Sequence, residues 1–224
     1  MTGESTDFIF TRRALLVASF AGIGAFALIV VLKYAGALEG LDTYLLTALR
    51  EDDPSVPIGP GWFEQAVAQF TALGGYTVMG VVVVVAAGGF VVAGRARIAP
   101  ILPVAFGSAI LVENLLKTVF ARPRPDIVGH LVETHTMSFP SGHAMVGAVV
   151  WLTLGAIVAH ISSRKALGRY AFGIAVAMTF LLGASRLYLG VHWPSDVLAG
   201  WSLGIAWAAS VLLVFRLREP RVML

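Results

Sequence analysis

The sequence contains no cysteine, which excludes disulfides and thiolate metal sites. Charge is scarce too: 13% of the 224 residues are Asp, Glu, Lys or Arg, where soluble globular domains carry about a quarter. No basic stripe interleaved with aromatic residues occurs, so nucleic acid is not an expected partner despite the net charge of +3. The five histidines lack metal-type clustering, and neither a metal nor another cofactor is expected. Internal repeats are missing as well, which weighs against an anion transporter built on repeat symmetry.

What fills the chain instead is apolar: 58% of it is hydrophobic. Runs of about 18 or more apolar residues have the length of bilayer spans. Six occur, at roughly 13–33, 66–93, 98–120, 142–162, 169–189 and 195–217. The second holds a valine run from Val81 to Val85, but its length favours a helix over a strand. The first is preceded by Arg12–Arg13 and followed by Ala35-Gly36-Ala37, as a signal peptide would be. Its apolar core of about 19 residues exceeds the 7–15 of such peptides, so a retained span is expected. The expected fold is an all-α polytopic membrane bundle with six transmembrane helices. A single domain is expected to cover 1–224.

Loop charges orient the bundle. Arg12–Arg13, Arg95 and Arg97, Arg164, Lys165 and Arg169, and Arg216, Arg218 and Arg221 alternate with acidic loops. The first acidic loop holds Glu39, Asp42, Glu51, Asp52, Asp53 and Glu64; the second holds Asp126 and Glu133. The positive-inside rule then places both termini in the cytoplasm, an N-in/C-in arrangement.

Three polar islands fall on the opposite, outer side. Lys117 lies late in the third span near Glu113 and Asn114, and ionisable groups at membrane depth usually face a cavity or a partner. Snorkelling of Lys117 to the interface, with Glu113 as its pair, is the alternative. Arg122-Pro123-Arg124-Pro125 cannot continue that helix and holds its guanidinium groups on a stiff exit. Such groups fork onto phosphate oxygens, or onto lipid headgroups as a plain basic patch. Pro140-Ser141-Gly142-His143 opens the fourth span with a good N-cap serine and a glycine that admits close approach. A helix start of this kind attracts anions. Ser185–Arg186 closes the fifth span. His192 and Asp196, four residues apart, open the sixth, where the carboxylate can take the imidazole N–H and leave the other nitrogen a better nucleophile. Taken singly, each island also reads as ordinary helix capping or an interfacial anchor.

As a set, Lys117 through Arg124–Pro125, Pro140 to His143, and Ser185–Arg186 with His192 and Asp196 resemble the type 2 phosphatidic acid phosphatase superfamily. Residue types and spacings match without departure, and all the motifs lie within 117–196. The resemblance implies a membrane lipid phosphatase of the integral-membrane branch, acting without metal. It implies His192 as nucleophile and phosphohistidine, Asp196 orienting it, and His143 as acid and then base. Lys117, Arg124, Ser141, Gly142 and Arg186 would hold the phosphoryl oxygens, as phosphoryl transfer requires. Members of this size are similar to bacterial undecaprenyl-diphosphate or phosphatidylglycerophosphate phosphatases, so the expected partner is a membrane lipid at the outer face of the cell membrane. A lipid-to-lipid phosphotransferase would use the same site. His130, His135 and His160 receive no role. The stretch 42–50 sets Leu41, Leu45, Ala48 and Leu49 against Asp42 and Arg50. It reads as an interfacial helix beside a lateral entrance, or as a surface helix covering the bundle.

Overall fold

Thr11 starts the first helix, its hydroxyl accepting from the Ala14 N–H at 3.1 Å. From there the chain is helical almost throughout. A computed structural model describes residues 11–218, and Arg221 of the orientation argument lies outside them. The helices are α1 (Arg12–Tyr34), α2 (Glu39–Thr47), α3 (Gly61–Thr71), α4 (Tyr76–Val92), α5 (Ile101–Phe120), α6 (Gly142–Ile161), α7 (Lys165–Tyr188) and α8 (Pro194–Arg218). Among the described residues no strand forms beyond a single bridge between Arg50 and Pro57.

Five of these helices are long and apolar enough to cross a membrane, or six elements if α3 and α4 count as one broken span. The second expected span is therefore not one straight helix. A 3-10 turn, Ala72–Gly74, and Gly75 separate its halves, which meet at 54°. The Gly74–Gly75 pair supports this break, since glycine weakens a helix interior. A hydrophobic tally alone is blind to such a bend.

α6 sits at the centre. Of its most apolar stretch 61% is buried, against 17% for α1. It packs on α5, α7 and α8, while α1 lies along the outside of α8. Close approach of α8 to α6 depends on Gly200 and Gly204, one helical turn apart. A Cβ on Gly200 would come within 2.8 Å of the Ser141 carbonyl, and one on Gly204 within 2.6 Å of the Met145 carbonyl. Small residues at this spacing let membrane helices touch backbone to backbone. They bring the start of α8 against the start of α6, which sets the position of everything below.

On the far side of α6, Met79 and Val83 of α4 pack with Leu102, Ala105 and Ala109 of α5 and Val146, Val149 and Val150. The outer flank of α5 shows Leu111, Leu115 and Val119 at 71%, 61% and 67% exposure. That i, i+4, i+8 stripe faces outward, where hydrocarbon would cover it. The chain is an integral membrane protein.

The stretch around α2 corrects the amphipathic reading. Asp42 and Arg50, expected on its wet face, are buried at 1% and 7% exposure, while Leu41, Tyr44 and Leu45 point outward. The polar residues turn inward because their partners lie across the bundle: Arg50 donates to the carbonyls of Tyr188 (3.0 Å) and Gly129 (3.2 Å). Asp42 reaches the start of α8.

Candidate active site

Four helix ends meet at one end of the bundle: the C-terminal turns of α5 and α7 and the first turns of α6 and α8. α5 stops at Ala121, whose left-handed φ of 41° turns the chain before Pro123. The extended exit carries Arg124 across to α8. Its Nη1 donates to the Val191 carbonyl at 2.6 Å and lies 3.3 Å from His192 Nε2. Its Nε donates to the Thr136 carbonyl at 2.8 Å, and Nη2 to the Thr136 hydroxyl at 3.2 Å. Lys117 Nζ donates to the same hydroxyl at 2.9 Å. Two cations from separate segments therefore converge on one oxygen atom. Lys117 does not snorkel; it is 8% exposed and paired with fully buried Glu113 at 2.8 Å.

Arg186 comes from the last turn of α7, almost wholly buried. Its Nη1 donates to the Thr71 hydroxyl at 2.9 Å, and its Nε has no hydrogen-bond partner among the described residues.

α6 begins as expected at Ser141, but the serine does not cap with its side chain. Its backbone is tied instead: the N–H donates to the Asp196 carbonyl at 3.1 Å, and its carbonyl accepts from Met145 at 2.9 Å. The Ser141 hydroxyl is buried and unpartnered among the described residues. Gly142 is required by its surroundings, since a Cβ there would approach Glu113 Oε1 to 2.7 Å and the Tyr76 hydroxyl to 2.8 Å. The site thus offers a buried hydroxyl unpartnered among the described residues, beside a helix start, and both suit an anion.

His192 lies just before α8, 2% exposed, with Nδ1 3.4 Å from Asp196 Oδ2. Asp196 does two jobs. It accepts from the Trp193 N–H at 2.9 Å, the reach-back half of a capping box, and it faces the imidazole. The Ser138 hydroxyl also donates to it. Burial pushes the His192 imidazole down to about 4, with Asp196 pulling in the opposite sense. The ring is neutral at neutral pH, and the carboxylate favours the N–H on Nδ1, leaving the Nε2 lone pair toward Arg124.

A cavity of about 190 Å³ lies at this point, lined by Lys117, Arg124, Gly142, His143, Arg186 and His192 among others. Six of the eight residues singled out from the sequence therefore share one wall; Ser141 and Asp196 lie behind it. A larger hollow of about 380 Å³ sits over residues 130–135 and holds none of them. His130 bonds the Pro125 carbonyl at 2.7 Å, and His135 stands at the cavity mouth near Glu133.

Arg122, expected with Arg124 to face an anion, is not among the residues lining the cavity, and some of its neighbours escape the sequence reading altogether. Arg122 bridges two buried carboxylates, donating to Asp42 Oδ2 at 2.8 Å and to Asp196 Oδ1 at 2.5 Å. Asp42 also accepts from the Ser195 N–H at 2.8 Å and the Ser195 hydroxyl at 2.6 Å. The only signal was an extra arginine in the proline-rich exit and one acid in a short apolar helix. Thr136 and Tyr76 have no sequence signature.

Comparison with known proteins identifies the family. The family described as "PAP2 superfamily" matches residues 99–220. Phosphatidylglycerophosphatase B of Bacillus subtilis (strain 168) is 32% identical over 152 residues, spanning 67% of this chain and 74% of the relative. Undecaprenyl-diphosphatase of Sulfolobus acidocaldarius is 38% identical over 108 residues, 46% of this chain and 48% of the relative. The crystal structure of a transmembrane PAP2 type phosphatidylglycerolphosphate phosphatase from Bacillus subtilis superposes with a TM-score of 0.79 at 27% identity. It covers 91% of this chain and 100% of that one. The fold, the ordered motifs and these relatives agree: this chain belongs to the PAP2 superfamily, among its membrane lipid phosphatases.

Proposed function

We propose that the protein removes a phosphate group from a membrane lipid at the outer face of the bilayer, through a phosphohistidine on His192. The observation that carries this reading is the convergence of Lys117, Arg124, Arg186, His143 and His192 on one cavity at one end of the bundle. In the first step His192 Nε2 attacks phosphorus, the bond from phosphorus to the lipid oxygen breaks, and His143 gives that oxygen a proton. In the second, His143 takes a proton from water, the hydroxide attacks phosphorus, and the N–P bond breaks. Asp196 holds the Nδ1 proton throughout and offsets the charge that grows on the ring. The three cations, the Ser141 hydroxyl and the Gly142 N–H hold the equatorial oxygens, where preorganised charge matters most.

Those cations occupy the place a divalent ion takes in other phosphoryl transfer sites, so the reaction proceeds without one. The substrate class follows from a site at a membrane edge together with relatives named for phosphatidylglycerophosphate and undecaprenyl diphosphate. Both are carried forward as substrates, with phosphatidate as the simple analogue. The purified protein is expected to release inorganic phosphate from at least one of the three in excess chelator, and orthovanadate is expected to inhibit. Loss of activity with chelator and rescue by magnesium would overturn the metal-free mechanism. Label arriving on an added acceptor lipid, without free phosphate, would make the protein a phosphotransferase.

The cytoplasmic placement of both termini follows from the loop charges. Ser55→Cys and Thr134→Cys are expected to react with an impermeant thiol reagent on intact cells, and Ser163→Cys only after lysis. The opposite pattern inverts the topology and moves the site to the cytoplasmic face.

The neutral His192 ring sets the acid side of the pH profile. A protonated Nε2 has no lone pair to attack with, so kcat/KM falls as pH drops through the His192 value of about 4 and is restored above it. A free imidazole would place that limb near 6.5. A limb between 6 and 7, absent from a substrate-only control, would contradict His192 as a buried nucleophile.

A further inference from the structure

The break between α3 and α4 lies before the region matched by the family and carries none of the three motifs, yet Tyr76 lines the cavity and Thr71 and Gly74 touch residues that line it. Thr71, the last residue of α3, accepts from Arg186 Nη1 at 2.9 Å and from the Ser185 hydroxyl at 3.0 Å. Gly74 lies directly against His143: a Cβ there would stand 2.6 Å from His143 Cδ2 and 3.1 Å from Leu182 Cδ2. Tyr76, which opens α4, donates its hydroxyl to Glu113 Oε2 at 2.6 Å. Glu113 in turn pairs with Lys117. Three residues within six positions thus touch, directly or through one partner, a cation of α7, the histidine of α6 and the lysine of α5.

A straight span cannot do this. In an unbroken helix Thr71 and Tyr76, five residues apart, would point about 140° away from each other, so the two could not both reach the site. The 54° bend turns the segment inward, and glycine lets its backbone approach the imidazole. Backbone that breaks helical regularity at membrane depth is found where it is buried in protein or lines a cavity.

We propose that the Thr71–Tyr76 break is a fourth segment of the active site, whose residues position Arg186, His143 and Lys117 for phosphoryl transfer. This rests on the phosphatase reading above. The three contacts divide the work. Thr71 sets the Arg186 guanidinium while leaving its unpartnered Nε available, Gly74 fixes the face His143 presents to the cavity, and Tyr76 holds Glu113 so that Lys117 stays turned toward Thr136. None of the three supplies a proton or an electron pair to the reaction, so they are positioning residues.

The division gives each a distinct kinetic signature. Thr71→Val keeps the side-chain shape and removes the acceptor for Arg186. Its inhibition constant for orthovanadate, a probe of anion binding, is expected to rise about tenfold, the effect of losing one hydrogen bond to a charged group. Thr71→Ser restores it. Gly74→Ala is expected to lower kcat about 10- to 100-fold by displacing the His143 ring, with vanadate inhibition within about twofold of wild type. A merely structural segment would lower the unfolding midpoint of both variants without separating the two constants. An unchanged vanadate constant in Thr71→Val, or a Gly74→Ala protein in which vanadate binding weakens as much as kcat falls, would overturn the proposal. Wild-type protein is run beside them on phosphatidate, phosphatidylglycerophosphate and undecaprenyl diphosphate. No phosphate release from any of these overturns the functional reading and this proposal with it, whereas active wild type with indifferent variants rejects this proposal alone.

Discussion

His192→Ala is expected to release no phosphate from any lipid substrate, while His143→Ala retains a reduced turnover. The difference follows from bond order rather than from distance. Without His192 Nε2 there is no atom placed to form the bond to phosphorus, and the covalent route is lost. Without His143 the bond can still form, but the leaving oxygen departs unprotonated and water attacks without a base. General acid–base assistance contributes about 10²–10⁴-fold, and His143→Ala should lose that factor on a natural lipid. With an aryl phosphate, whose leaving group needs little protonation, the first step is partly spared and an initial burst of phenolate should precede slow turnover. Asp196→Asn should fall between the two, since the ring stays in place at the start of α8 but loses the partner that fixes its tautomer. Turnover by His192→Ala comparable to wild type, or the absence of any burst in His143→Ala, would contradict these roles.

Arg122→Met should be the most destabilising substitution at the cavity end of the bundle. The side chain stands between Asp42 and Asp196, both almost fully buried, and bonds each of them. Its removal takes away the one cation hydrogen-bonded to both carboxylates, leaving Lys33 and Arg124 as the charges still near them. Breaking a buried ion pair from one side costs about 3–5 kcal/mol, because the remaining charge is uncompensated. The Ser195 and Ser138 hydroxyls keep some hydrogen bonds to the two acids, but neither brings charge. Denaturation in detergent should record the loss, and phosphate release should fall as Asp196 ceases to hold His192. Asp42→Asn alone should cost less, because the side-chain amide would keep hydrogen-bonding partners at Ser195. The double variant should recover part of the Arg122→Met loss, since one stranded charge is gone. An Arg122→Met protein within about 1 kcal/mol of wild type would show that the bridge contributes little.

The residues that meet at the cavity could be read from the sequence because their chemistry is dense and their spacing is local. Proline after Arg124, glycine after Ser141 and a carboxylate one turn beyond His192 each imply a backbone shape as well as a function. Asp42 and Arg122 could not be paired in the same way. They are 80 positions apart, and in a short helix with alternating apolar residues Asp42 reads as the wet face. Only the packing of α2 over the start of α8 shows that its polar side faces inward. The second span hid its break for a different reason. Hydrophobicity adds up along a segment regardless of direction, so the valines of α4 masked the turn at Gly74–Gly75. Ser141 stands at the helix start as its N-cap pattern implies, yet its side chain makes no cap bond, and the tie of its N–H to the Asp196 carbonyl is encoded in no local pattern.

The assignment of the nucleophile is tested most directly by trapping the intermediate. Wild-type protein is mixed with phosphorus-labelled substrate, quenched within milliseconds at alkaline pH, digested, and the label mapped by mass spectrometry. The expected result is acid-labile, alkali-stable label on the peptide carrying His192, increased in His143→Ala and missing in His192→Ala. Label on His143, or full turnover with no protein-bound phosphate at any quench time, would contradict a phosphohistidine at His192.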